Sequence, residues 1–202
     1  MQESPPPPPV DATYGAMLFE GALVLVALGA GWLLGIDPLE SMRWSMEDLP
    51  ALGAAAGWGL LAALPMVVGM LVADRLPIGP LGELKRLARE TVLPLFRRSN
   101  IGQLAMISLL AGLGEELLFR GLLQAGLANW IGGWPGLIVG LAAASVSFGF
   151  CHAVRPVYAL FAALVGAYFG LLFIWTGNLA APIVTHAVYD FAALTYLRLS
   201  RA

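Results

Sequence analysis

Three observations predict an all-α fold: a polytopic membrane helical bundle of about six transmembrane helices plus one interfacial amphipathic helix. Of its 202 residues, 59% are hydrophobic and 12% charged, about half the charged share of a soluble domain. Mean hydropathy is +0.79. Residues 21–36, 49–73, 121–154 and 156–186 contain no Lys, Arg, Asp or Glu, and a span needs about 20 predominantly apolar residues. The short alternating segments of a membrane β-barrel do not occur.

The elements follow in order. Residues 1–11, with five consecutive prolines at 5–9, are expected to form a disordered cytoplasmic tail. They lack the basic start of a signal peptide. Residues 12–202 are expected to form one transmembrane helical domain. Its first span covers 12–35 and contains Glu20; its second covers 49–73, with Pro65 predicting a kink. The third, 101–128, holds three charges in its middle: Glu115, Glu116 and Arg120. The glycine-rich turn at 132–136 precedes a fourth span that reaches 154, where Arg155 and Pro156 break it. The fifth covers 157–175 and the sixth 179–197.

Between spans two and three, Leu81, Leu84, Leu87 and Ala88 recur at helical spacing beside Glu83, Lys85, Arg86 and Arg89. That pattern predicts a helix lying in the membrane interface. The same loop carries six of the eleven basic residues. With the loop cytoplasmic by the positive-inside rule, both termini are cytoplasmic, and only Arg43 stands on the outer side. Trp32, Trp130, Trp134 and Trp175 fall near span ends, as an aromatic belt requires. GxxxG spacings at Gly53/Gly57, Gly136/Gly140 and Gly166/Gly170 allow close helix packing. A net charge of −2 gives no reason to expect nucleic acid as a partner. The single Cys151 excludes an intrachain disulfide. Ten arginines to one lysine fit a bacterial chain encoded by GC-rich DNA.

Charges at bilayer depth cost at least a few kcal/mol each, so three within six residues call for a function. Glu116 and Arg120, four apart, can pair on one helix face; they read equally as a structural knot or as support for a site. Glu115 points about 100° away and is left without a basic partner in the spans. The chain's two histidines, His152 and His186, both lie in apolar spans. Phe148 shares a face with His152, and Asp190 with His186. Cys151 points about 100° away from His152 and reads as a packing residue. Glu115, His152 and His186 thus bring one acid–base group from each of three helices.

Three motifs resemble those of the CPBP family of intramembrane proteases, the CAAX-protease and bacteriocin-processing group. EELLFR (115–120) matches its EExxxR motif and FGFCH (148–152) its FxxxH motif. HAVYD (186–190) is similar to its third motif, usually HxxxN. The resemblance covers 81–197 and implies hydrolysis of a peptide bond within the membrane. It implies that Glu115, assisted by His152, activates water and that His186 and position 190 stabilise the oxyanion. Glu116 and Arg120 would then support the first motif. Aspartate departs from the usual asparagine at position 190: Asp190 must be protonated, must orient His186 by accepting its ring proton, or must ligate a metal. Glu115, His152, His186 and Asp190 could together hold zinc, although no cofactor is favoured.

The partners expected are membrane lipid and a peptide or membrane-protein substrate, in the inner membrane of the cell. A non-catalytic immunity or partner-stabilising protein on the same scaffold is the alternative, and a proton-coupled transporter a third. Glu115 lies 14 residues past Ile101, about 21 Å along a helix, whereas His152 closes the fourth span. The third span is therefore predicted to begin several residues after Ile101, and Glu115 to lie within water-bridging distance of His152.

Overall fold

A computed structural model describes residues 12–42, 47–76 and 78–200. The proline-rich tail, Arg43 and Arg201 lie outside these residues. Among them every regular element is helical. α1 (Thr13–Leu34) leads through a 3₁₀ turn (Glu40–Met42) to α2 (Leu49–Arg75), which runs on through Pro65. α3 (Gly79–Leu87), a π-helical turn (Ala88–Val92) and α4 (Leu93–Phe96) form the amphipathic segment. α5 (Ile101–Glu116), a π-helical stretch (Leu117–Gln124) and α6 (Ala125–Ile131) make one rod. α7 (Gly133–Cys151), α8 (Pro156–Thr176) and α9 (Ala180–Leu199) complete the bundle.

Five of these, with the rod counted as one, are long and apolar enough to cross a membrane. Six spans were expected, and the difference is α9. It has the length, but His186, Asp190 and other polar residues dilute its apolarity. α9 keeps these groups inside the bundle by packing against α2 on one side and α5 on the other. The rod is the centre of the molecule: half of its apolar window is buried, against 11% for α1. All four belt tryptophans are exposed, between 64% and 83%, as the interface pattern predicts.

Small residues let the neighbours close on this rod. A Cβ at Gly112 would stand 2.9 Å from the Ile183 carbonyl oxygen of α9, and one at Gly114 2.6 Å from the Glu20 carbonyl oxygen of α1. On the α6–α7 hairpin, a Cβ at Gly136 would come within 2.4 Å of the Ala128 carbonyl oxygen. One at Gly140 would come within 2.5 Å of that of Gln124. These contacts set the hairpin register and bring Phe148 level with the glutamate pair. Gly166 and Gly170 meet Arg120, Phe148, Gln124 and Leu141 in the same way. Gly53 and Gly57 do not follow the expectation, since nothing lies within 4 Å of either position; α2 closes on α9 through Gly59 instead. Cys151 is exposed rather than packed.

The third span begins at Ile101, without the predicted shift. Asn100 caps it: its side chain accepts from Gln103 N–H at 2.9 Å while its own N–H donates to Gln103 Oε1 at 2.8 Å. This reciprocal pairing fixes the start. His152 nevertheless reaches Glu115 because the path up the rod from Glu115 to the turn at Gly132 and the path back down α7 to His152 are of similar length. The amphipathic segment is tied across the ends of four helices. Asp74 of α2 takes Lys85 at 3.0 Å, Arg89 at 3.5 Å and the Tyr196 hydroxyl of α9 at 2.9 Å. Arg155, just before α8, faces Glu83 at 3.8 Å. Ala12 N–H, at the head of α1, donates to the Leu95 carbonyl at 3.1 Å.

Candidate active site

Glu115 and Glu116 end α5 where the backbone widens into the π-helical stretch, a form frequent at functional sites. Both carboxyl groups are buried, and Arg120 is completely so. Arg120 Nη1 donates to Glu116 Oε1 at 2.9 Å, and Nη2 donates to the Gly166 carbonyl at 2.8 Å. Its guanidinium lies 4.7 Å from the Phe148 ring centre and 5.4 Å from that of Phe169, a favourable placement for a desolvated cation.

The same two rings hold the histidines. Phe148 stacks on His152 at 4.5 Å, and Phe169 on His186 at 4.9 Å. His152 Nδ1 lies 2.8 Å from the Phe148 carbonyl oxygen. A carbonyl can only accept, so Nδ1 carries the proton and Nε2 is left as an acceptor. That Nε2 lies 3.9 Å from Glu115 Oε1. His186 Nδ1 donates to Glu116 Oε1 at 2.9 Å, and its Nε2 is 4.0 Å from Glu115 Oε2 and 3.5 Å from Asp190 Oδ2. Glu115 therefore lies between the Nε2 atoms of two imidazoles, and its Oε2 has no hydrogen-bond partner among the described residues. Separations near 4 Å are those at which a water can join two polar groups.

All six residues singled out in the sequence come together, but Glu116 does more than pair with Arg120. It holds His186 at Nδ1, which is the orienting contact expected of Asp190. Asp190 faces the other ring nitrogen and is partly open, with a third of its side chain exposed. Among the described residues, no three His, Cys, Asp or Glu side chains are arranged to hold a metal ion.

Residues that sequence reasoning missed surround this core. Gln124 is buried and donates to the Gly170 carbonyl at 3.0 Å, joining the rod to α8. Tyr158 stands edge-on to His152 with ring centres 6.0 Å apart. Glu20 of α1 lies close enough to Asp190, His186 and Glu115 to be coupled to each electrostatically. Its signal was available, as the only charge in its span, but α1 carries none of the three motifs.

Residues 97–192, which contain every one of the six motif residues, match the family described as type II CAAX prenyl endopeptidase Rce1-like. The matched segment is just under half of the chain, and it is similar to that family. The uncharacterized protein YpbD of Bacillus subtilis (strain 168) is 30% identical over 99 residues, 48% of this chain and 46% of that protein. The match thus spans less than half the length of that relative. No solved structure matches significantly. Together with the five helices long and apolar enough to cross a membrane, this likeness marks a multi-pass membrane protein.

Proposed function

We propose that the protein is an intramembrane endopeptidase that hydrolyses a peptide bond of a membrane-associated peptide or protein. The observation that carries this reading is the position of Glu115, buried between His152 Nε2 and His186 Nε2 at 3.9 and 4.0 Å with one oxygen unpartnered. A water held there has a carboxylate and an imidazole acceptor as neighbours. Glu115, assisted by His152, takes a proton as the water oxygen attacks the carbonyl carbon. His186 is flanked by Glu116 at Nδ1 and Asp190 at Nε2, so it can hold a proton on each nitrogen. Its Nε2–H then donates to the developing oxyanion, an interaction strengthened by the dry surroundings. Collapse breaks the C–N bond, and the proton held by Glu115 passes to the departing amine.

In this reading Glu116 and Arg120 hold His186 and the first motif in place, and no step passes through a metal. The protein would reside in the inner membrane with both termini cytoplasmic and lipid around its apolar helices. The deciding experiment compares protein termini in cells carrying the wild type or Glu115→Gln. New N-termini that vanish with the variant, while its folded level is unchanged, are expected. Identical termini in both strains would defeat the proposal and favour a non-catalytic scaffold. Treatment of the purified protein with a chelator is expected to leave cleavage intact; loss restored by zinc would assign the reaction to a metal.

A further inference from the structure

Helix α1 has one narrow inward face. Its fully buried residues are Thr13, Ala27 and Gly31, and Glu20 falls seven residues from both Thr13 and Ala27. Seven residues is two turns, so Glu20 shares their face and is directed into the bundle. The backbone confirms the approach: a Cβ at Gly114, the residue before Glu115, would stand 2.6 Å from the Glu20 carbonyl oxygen and 3.1 Å from Leu23 Cβ. Glu20 Oε2 is shielded from solvent and has no hydrogen-bond partner among the described residues. Among the described residues, no lysine or arginine pairs with it. An unpaired carboxyl at bilayer depth is costly, and a packing role on this face would be better served by leucine.

Two other buried oxygens lack partners in the same region, Glu115 Oε2 and Glu116 Oε2. Buried polar atoms without protein partners are where ordered water binds. Glu20 is coupled to Asp190 and His186 and, from the other side, to Glu115. Resting on the hydrolytic reading above, we propose that Glu20 is a positioning residue of the reaction: from α1 it holds the water that Asp190, His186 and Glu115 share. It lies outside the 97–192 segment that matches the family, so α1 completes the site rather than merely covering it.

The test uses the full-length protein in cells, with cleavage read as the rate at which Glu115-dependent N-termini form, alongside thermal unfolding of each purified variant. Glu20→Leu removes every hydrogen-bonding atom and is expected to slow cleavage about tenfold, the scale of one lost hydrogen bond. Its unfolding midpoint should be unchanged or higher. Glu20→Gln retains an acceptor of the same shape and should keep at least about a third of the rate. In an Asp190→Ala background, Glu20→Leu should cost much less than in the wild type, because the two act through one water. A wild-type rate in Glu20→Leu, equal losses in the Leu and Gln variants, or a loss matched by a lower midpoint would each overturn the inference. Glu115→Gln separates the two levels. If it still cleaves, the hydrolytic reading itself fails; if it is inactive while Glu20→Leu is normal, only the role of Glu20 fails.

Discussion

One oxygen atom organises the polar core. Glu116 Oε1 accepts from both Arg120 Nη1 and His186 Nδ1 at 2.9 Å, so a single carboxylate compensates a buried guanidinium and fixes an imidazole. Replacing Glu116 with leucine leaves Arg120 charged in a fully enclosed position, a change that costs about 3–5 kcal/mol when one partner of a buried pair is removed. Thermal unfolding should show this loss, and Glu116→Leu combined with Arg120→Met should recover a large part of it. Glu115 differs in kind. Its Oε2 has no partner to lose, so Glu115→Gln should leave the unfolding midpoint near that of the wild type while abolishing cleavage. His152→Ala should lower cleavage by about 10²–10⁴-fold, the usual contribution of a positioned acid–base group. A rate within twofold of wild type for either variant would remove that residue from the reaction.

At the scale of the element, glycine contacts decide which helix faces meet. The α6–α7 hairpin is in register because Gly136 and Gly140 lie against the carbonyls of Ala128 and Gln124. A leucine at Gly140 must push α7 off the rod. Overpacking of this kind costs about 1–3 kcal/mol or more. It also carries His152 away from Glu115, so the Gly140→Leu variant should lose both stability and cleavage. Gly53→Ala and Gly57→Ala should be silent in both assays, because an added Cβ meets nothing within 4 Å at either site. The same GxxxG pattern is therefore a packing device within the bundle on α7 and α8 but not on α2, and the spacing alone does not distinguish them.

For the molecule as a whole, the amphipathic segment acts as a brace across helix ends. Asp74 collects Lys85 and Arg89 from the amphipathic segment and Tyr196 from α9, so Asp74→Asn should loosen 79–96 and speed its amide exchange relative to α5. The orientation in the membrane can be read directly. In a Cys151→Ala background, single cysteines at Arg86 and Arg97 are expected to react with an impermeant thiol reagent only in inverted vesicles. Reaction in intact cells would reverse the orientation proposed above.

The charge-free runs and the 115–120, 148–152 and 186–190 motifs made the helical membrane class and six candidate residues legible, because burying charge in an apolar span is costly enough to stand out in one dimension. The sixth span was harder to read. α9 keeps its polar residues by turning them toward α2 and α5, a solution that depends on neighbours rather than on hydropathy. The depth of one span does not place the start of α5 at Ile101, because the hairpin around Gly132 brings His152 back to the level of Glu115.

By itself the sequence determined that the chain is a multi-pass helical membrane protein whose motifs resemble those of CAAX-type proteases, since hydropathy and motif spacing are local properties of a helix. Only the tertiary structure decided that Glu116, not Asp190, holds Nδ1 of His186, that Glu115 lies between two Nε2 atoms, and that α1 packs at Glu20 against Gly114, next to Glu115. Those relations join α1, α5, α7 and α9. They arise from close approaches at glycines far apart in the chain, where no periodicity along one helix can reveal which carboxylate oxygen meets which ring nitrogen.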